Sequence, residues 1–395
     1  MSESTVTARR SAAVKFIVCL GIVSLFADMT YEGAHSVIGP YLKDLGASAS
    51  QVGVIAGLGE MFAASLRLFS GRFADRTRAY WTITISGYLV NVLVVPALAF
   101  AGSWQAAALL IIAERTSKAI RGPARDVLLS EATKEIGHGW GFGLHAAFDQ
   151  TGAVLGPLMM FFAVAETNRF GPAFLPLAVP AVLAVVALLA ARAFYPARAA
   201  DPAPVREIAI PKVFWAYVTA AGLLAFGCVD FPLLAFHFQN RGLLQPATIP
   251  LVYSGAMAVN GITALLFGRL FDRYGVRVLV FGILVSLCSL PLGFLGGSTG
   301  ILLGVACWGA GRGAQDACLR PGIAQVVSMN KRGSAFGSFN AVYGVAWFAG
   351  SALMGFLYDV SVLALVTFGV VAQLVAAAMF LQLRKPLLEA AEVNR

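Results

Sequence analysis

Gly71-Arg72-Phe73-Ala74-Asp75-Arg76 and Gly268-Arg269-Leu270-Phe271-Asp272-Arg273 carry one pattern twice, 197 positions apart, each directly after a long apolar segment. They read as the same loop in two copies of one unit. A second set agrees: Gly139, Phe142, Gly143 and Gly156 recur as Gly333, Phe336, Gly337 and Gly350 at a constant offset of 194. The chain is therefore expected to hold two parallel halves built on one plan.

Of 395 residues, 58% are apolar and only 12% charged, and the mean hydropathy is +0.77. That balance lies outside the range of soluble domains and points to an all-α integral membrane protein, because apolar runs of about 20 residues cross a bilayer as helices. Twelve spans are expected, at 13–39, 48–70, 79–101, 104–131, 139–165, 171–195, 212–239, 248–268, 277–297, 299–326, 334–358 and 361–383. Between the sixth and seventh, residues 196–211 are rich in Pro, Arg, Asp and Glu. The expected organisation is an N-terminal six-helix bundle (1–195), a cytoplasmic linker (196–211) and a C-terminal six-helix bundle (212–395). Parallel repeats with substrate held near the midplane form a recognised transporter architecture.

Alternate loops differ sharply in charge. One set, including both termini, holds nineteen Lys and Arg residues, against Lys43, Arg169 and Arg241 in the other. By the positive-inside rule both termini are expected in the cytoplasm, with the protein multi-pass in the inner (cytoplasmic) membrane. The net charge of +9 is thus an orientation signal. Basic residues scattered over many loops make no stripe for nucleic acid, so the expected partners are the lipid bilayer, protons and a small-molecule substrate. The chain is expected to act as a monomer. The five cysteines lie in apolar segments without a C-x-x-C pair and read as small hydrophobes. Arg9, Arg10 and Lys15 precede the first apolar run, but no small-residue cleavage site follows, so this helix is read as uncleaved.

On these residues the chain resembles the major facilitator superfamily over essentially its whole length. The family's Gly-x-x-x-Asp-Arg loop matches Gly71, Asp75 and Arg76, with Arg78 beyond, and again Gly268, Asp272 and Arg273, with Arg277 beyond. The first copy departs at Thr77-Arg78-Ala79, where the family commonly has Gly followed by two basic residues. Arg115-Thr116-Ser117-Lys118-Ala119 is similar to the Arg-x-x-Gln-Gly pattern of proton-coupled branches, with Lys118 and Ala119 standing for Gln and Gly. Gly152-Ala153-Val154-Leu155-Gly156-Pro157 resembles a stretch associated with antiporters, although the usual trailing Gly pair is replaced by Leu158-Met159-Met160. The end of the first span, with Pro40 and Gly46, looks like that of drug–proton antiporters. The resemblance implies a secondary transporter of the efflux branch, exchanging solute for protons.

The loop itself has a physical reading. Gly permits close approach of helices, a carboxylate at a helix end can receive partners, and Arg residues sit at the lipid–water boundary. Gly71, Asp75 and Arg76 with Arg121, Arg125 and Asp126, and Gly268, Asp272 and Arg273, are read as a conformational latch, with plain orientation signals as the alternative. Asp75→Asn is expected to insert normally and turn over slowly. Gly152, Gly156 and Pro157 are read as helix-packing residues, the glycines allowing tight contact and the proline a bend.

Function is carried by charge within the spans, where each ionisable group costs about 2.5–3.5 kcal/mol on insertion scales unless it meets a partner or a watery cavity. Asp28 and Glu32 lie four apart on one helical face, and two carboxylates this close favour sharing one proton. With His145 and Asp149, also four apart, they are the expected proton-coupling residues. Expected substrate-binding residues are Tyr31, His35, Glu60, Arg115, Lys118, Asp230, Asn260, Asn340, Tyr343 and Trp347. In the tenth span Arg312 and Asp316 read as an i,i+4 ion pair that needs no substrate.

The expected function is proton-coupled export of a small organic solute. Two alternatives stay open: transport of a metal ion or chelate, with Asp28, His35, His145, Asp149, Cys228, Asp230 and His237 as candidate ligands, and import of an organic anion. The ligand spacings form no compact metal site, and no cofactor is expected. No Ser–His–Asp constellation, Walker loop or sizeable soluble domain appears, so neither an enzyme nor an ATP-driven pump is expected.

Overall fold

The computed structural model describes residues 3–133, 137–194, 211–327 and 332–387. The expected linker, apart from Pro211, and the loop residues Lys134 and Lys331 lie outside them. The described residues form helices without strands: α1 (Glu3–His35), α2 (Ile38–Asp44), α3 (Ala49–Thr77), α4 (Tyr80–Ala97), α5 (Trp104–Thr133), α6 (His138–Thr167), α7 (Phe170–Ala173), α8 (Ala178–Phe194), α9 (Lys212–Gly227), α10 (Phe231–Asn240), α11 (Thr248–Tyr274), α12 (Val276–Leu287), α13 (Ser289–Leu295), α14 (Ser298–Val326), α15 (Arg332–Val360) and α16 (Val362–Gln382). Ten helical segments among the described residues are long and apolar enough to cross a membrane. The other two expected spans are α5 and α14, of 30 and 29 residues, whose in-span charges set them apart.

The chain divides into two compact units, residues 1–37 with 66–203 and residues 38–65 with 204–395. In the first, α1 packs along α6 and α8, and α4 along α5. Phe16, Ile17, Leu20, Tyr88, Leu128 and Leu188 fill the space among them. In the second, α14 packs on α11 and α12, and α9 lies against α15 and α16 around Phe214, Tyr217, Leu279, Cys318 and Phe380. Lipid tails are as apolar as Leu, so within a bilayer these contacts stabilise through close packing and dispersion. Residues 38–65 join the second unit through α2 on α10, and the Ser50 N–H donates to Asp359 Oδ2 at 2.9 Å.

The sequence repeat reappears as a repeated contact. A Cβ on Gly156 would strike the Met29 carbonyl of α1, and one on Gly350 would strike the Phe226 carbonyl of α9. The twin loops share a positive φ at the matching position: Gly275 closes α11 at φ 62°, and Arg78, 197 positions earlier, follows α3 at φ 53°. Arg78 thus takes a left-handed conformation that costs a side-chain-bearing residue about 1–2 kcal/mol. Arg78→Gly is accordingly expected to be about 1 kcal/mol more stable than Arg78→Ala, read as the difference in thermal unfolding of the purified variants; equal stabilities would remove the strain.

The seventh expected span is not one helix. α9 stops at Gly227, Cys228–Asp230 run extended, and α10 restarts with the Asp230 Oδ1 accepting from the Phe231 N–H at 2.9 Å. Side chains take over the freed carbonyls: Gln373 Nε2 donates to Gly227 O and Trp308 Nε1 to Val229 O, both at 2.9 Å. Unwound backbone at membrane depth persists where protein groups satisfy it in this way.

Candidate functional site

In the first unit, the charged stripe of α5 faces α1. Tyr31 of α1 carries two cations: Lys118 Nζ lies 3.4 Å from its ring centre and Arg115 Cζ 4.3 Å. Lys118 Nζ is also 3.8 Å from Asp28 Oδ1, close enough for an ion pair but too far for a hydrogen bond. Neither Asp28 nor Lys118 makes a hydrogen bond among the described residues. Arg115 Nη2 meets His35 Nδ1 at 2.5 Å, both side chains being buried. A guanidinium only donates, so His35 Nδ1 is the acceptor and the ring proton sits on Nε2. Protonating His35 would forfeit that bond. Glu114 Oε2 lies 3.7 Å from Arg115 Nε, and its Oε1 has no hydrogen-bond partner among the described residues. Glu32, a turn beyond Asp28, lies within electrostatic range of Glu114.

Deeper along the same face, Ser24 joins α1, α5 and α6. Its hydroxyl accepts from Arg125 Nη1 at 3.0 Å and lies 3.1 Å from His145 Nε2. His145 Nε2 is 3.7 Å from Asp149 Oδ1, so the expected pair exists as a loose contact. His145 Nδ1 and Asp149 Oδ1 have no hydrogen-bond partner among the described residues. Asp149 is also an electrostatic neighbour of Asp28, so that Asp28, His145 and Asp149, though not Glu32, are brought together between α1 and α6. Ser24 escaped the sequence reading, although a hydroxyl one turn before Asp28 on the same stripe was a usable signal.

Among the described residues, no hydrogen bond or ion pair joins Asp75 of the expected latch to its α5 members. Asp75 accepts from the Tyr80 hydroxyl at 3.1 Å. Arg121 is buried, stacks over Tyr88 at 4.5 Å and donates to Ser117 Oγ at 3.2 Å, while Arg125 pairs with its neighbour Asp126 at 3.0 Å. Arg76, Asp272 and Arg273 are exposed, with Arg273 lying over Tyr274. The loop glycines are not points of forced approach: a Cβ on Gly71 would come no nearer than 3.6 Å to Pro123, and one on Gly268 no nearer than 3.9 Å to Ala317. Gly152 and Gly156, by contrast, press on the backbone at Leu25 and Met29, and Pro157 lies within α6.

The second unit gathers its polar side chains around the broken α9–α10 segment. Tyr343 donates to Gln315 Oε1 at 2.8 Å, and Gln315 Nε2 points to Cys228 Sγ at 3.5 Å. Tyr343 and Trp347 lie at 5.8 Å between ring centres, and Arg312 Cζ sits 4.9 Å over the Trp347 ring. Asn260 Nδ2 donates to Asp316 Oδ2 at 3.2 Å. Arg312 makes no ion pair with Asp316 among the described residues, contrary to the i,i+4 expectation, because its guanidinium has turned onto the indole. Glu60 and Asp230 remain electrostatic neighbours of Arg312. Asn340 is half-buried on α15 and makes no hydrogen bond among the described residues. Sequence reasoning missed Gln315 and the break at Cys228–Asp230; Asp230-Phe231-Pro232, a capping residue followed by a first-turn proline, was the signal available.

Among the described residues, no group of three or more His, Cys, Asp and Glu side chains is placed to hold a metal ion. The metal alternative therefore draws no support from the geometry.

The model of the Major Facilitator Superfamily matches residues 20–243 and 230–393. The uncharacterized protein Rv2265 of Mycobacterium tuberculosis is 41% identical, over 95% of this chain and 94% of its own length. The uncharacterized MFS-type transporter MJ1317 of Methanocaldococcus jannaschii is 24% identical over 88% and 89% of the two chains. Among solved structures, the bacterial homolog of the human lysosomal transporter Spinster, inward-facing and unoccupied, matches at a TM-score of 0.71 with 12% identity, covering 96% of this chain and 98% of that one. An all-helical fold with ten apolar membrane-length segments, a contact repeated in both units and a family match along nearly the whole sequence make this chain a multi-pass membrane transporter belonging to the Major Facilitator Superfamily.

Proposed function

We propose that this transporter moves a small organic solute by alternating access, with coupling to protons through Asp28 and export by exchange as its direction. The observation that carries the coupling is the Asp28–Lys118 contact over Tyr31: a carboxylate two turns from the end of α1, in ion-pair contact with Lys118 at 3.8 Å without a hydrogen bond, can exchange that partner for a proton. His145 and Asp149 would extend the path along α6. Export rests on the Gly152 to Pro157 resemblance to the antiporter branch. The proposal includes six-helix halves on either side of the 196–211 linker, cytoplasmic termini in the inner membrane, a monomeric unit, and twin loops that hold one arrangement of the halves.

A second reading, uptake of an organic anion together with a proton, is favoured by the Lys118 ammonium, whose three N–H donors have no acceptor among the described residues. Proteoliposomes with a pH dye trapped inside separate the two. For a panel of anionic, cationic and metal-bound solutes, exchange predicts that an accepted solute and protons cross in opposite directions, and uptake predicts the same direction. A solute transported without any proton movement would overturn the coupling.

A further inference from the structure

We propose that Arg312 and the indole N–H of Trp347 form a receptor for a planar oxyanion, and that the cargo of this transporter carries a carboxylate. The proposal rests on the transport reading above and names the chemistry of its cargo, whichever way that cargo moves.

The geometry is that of a prepared but unused donor set. Arg312 lies midway along α14, a helix in which a charged group is costly unless it meets a partner. It stacks 4.9 Å over the Trp347 ring, and its five N–H donors find no hydrogen bond or ion pair among the described residues. Trp347 is 4% exposed, and its Nε1 is buried without a hydrogen-bond partner. A buried donor left without an acceptor is destabilising, and a ligand acceptor would recover that loss. That buried N–H, with the Arg312 guanidinium stacked on the same indole, calls for an acceptor with two oxygens. Guanidinium is the group whose planar fork matches a carboxylate, with bonds of about 2.7–2.9 Å.

The surroundings select the rest of the ligand. Tyr343 lies beside Trp347 with its hydroxyl already committed to Gln315, so it offers a ring face and no donor. A flat or apolar body attached to the carboxylate fits that face. Glu60, Asp230 and Asp316 are the charged groups within electrostatic range of Arg312. Their presence opposes a free anion and disfavours a second one, which restricts the site to a single carboxylate. In the first unit, Lys118 has the same character, a cation on an aromatic ring without a hydrogen-bond acceptor.

The test uses the full-length protein in detergent with benzoate as the probe and benzamide, its neutral isostere, as the control. Indole fluorescence is read as the difference between wild type and Trp347→Phe. Benzoate is expected to perturb the Trp347 signal in a saturable way, with benzamide binding at least tenfold more weakly. Arg312→Lys, which keeps the charge and loses the fork, should weaken benzoate several-fold, and Arg312→Gln should abolish the response. Equal responses to benzoate and benzamide in the wild type would overturn the proposal without any Arg312 variant having to fold. So would a benzoate response that survives in a folded Arg312→Gln. Proteoliposome counterflow separates this from the transport reading: benzoate binding without counterflow of any solute leaves the receptor and removes the transport, whereas counterflow indifferent to carboxylates does the reverse.

Discussion

Asp28→Asn is expected to abolish solute accumulation driven by a pH gradient while leaving counterflow at equal pH intact. The amide keeps the size of the side chain and can still lie beside Lys118, but it cannot take up or release a proton. Counterflow returns the carrier loaded in both directions and needs no net proton movement, so the two assays divide the functions of one residue. Lys118 would lose its only ion-pair partner among the described residues. Its side chain is 26% exposed, so solvent screening keeps the stability loss small, about 1 kcal/mol. Lys118→Gln should behave differently, impairing both assays if the ammonium also serves the solute. An Asp28→Asn protein that still accumulates solute against a pH gradient would remove Asp28 from the coupling.

The parts of this molecule legible in its sequence are those that repeat or cost most to place. The twin Gly-x-x-x-Asp-Arg loops predicted two copies, and Arg78 and Gly275, at matching positions after them, both take a positive φ. The charged α5 helix was legible because charges within a span cannot meet lipid, and Arg115 and Lys118, both expected to bind substrate, lie over Tyr31. What hydropathy could not convey was choice of partner. Arg312 had Asp316 one turn away and an aromatic face across the interface, and helix spacing favours the first while the structure takes the second. The Asp75 loop suggested a partner on α5, whereas the Tyr80 hydroxyl five residues on was nearer. The break at Cys228–Asp230 lay hidden because the run on either side of it stays apolar, and Asp230 read as an in-span charge before it read as a helix cap. Its carbonyls are satisfied by Gln373 and Trp308, distant in sequence.

The second large effect is expected at the repeated glycine contact. Gly156→Leu and Gly350→Leu should each destabilise the protein by about 3 kcal/mol or more, beyond ordinary overpacking of 1–3 kcal/mol. The reason lies in what each new side chain would strike. At Gly156 the first added carbon meets the Met29 carbonyl and the Gly33 backbone, and at Gly350 it meets the Phe226 carbonyl. Side chains can change rotamer to admit a neighbour; the backbone of a packed helix cannot, so α1 must separate from α6, and α9 from α15. In a bilayer no hydrophobic penalty draws the helices together again, because the exposed surfaces are as well solvated by lipid as by each other. Gly71→Ala provides the contrast, since its new methyl group meets Pro123 only at an ordinary 3.6 Å. Within α3 it should even gain up to about 1 kcal/mol from helix propensity. Thermal unfolding of the three purified variants reads the difference directly. If Gly156→Leu and Gly71→Ala unfold together, the packing of α1 on α6 tolerates a side chain, and the constant offset of 194 loses its physical meaning.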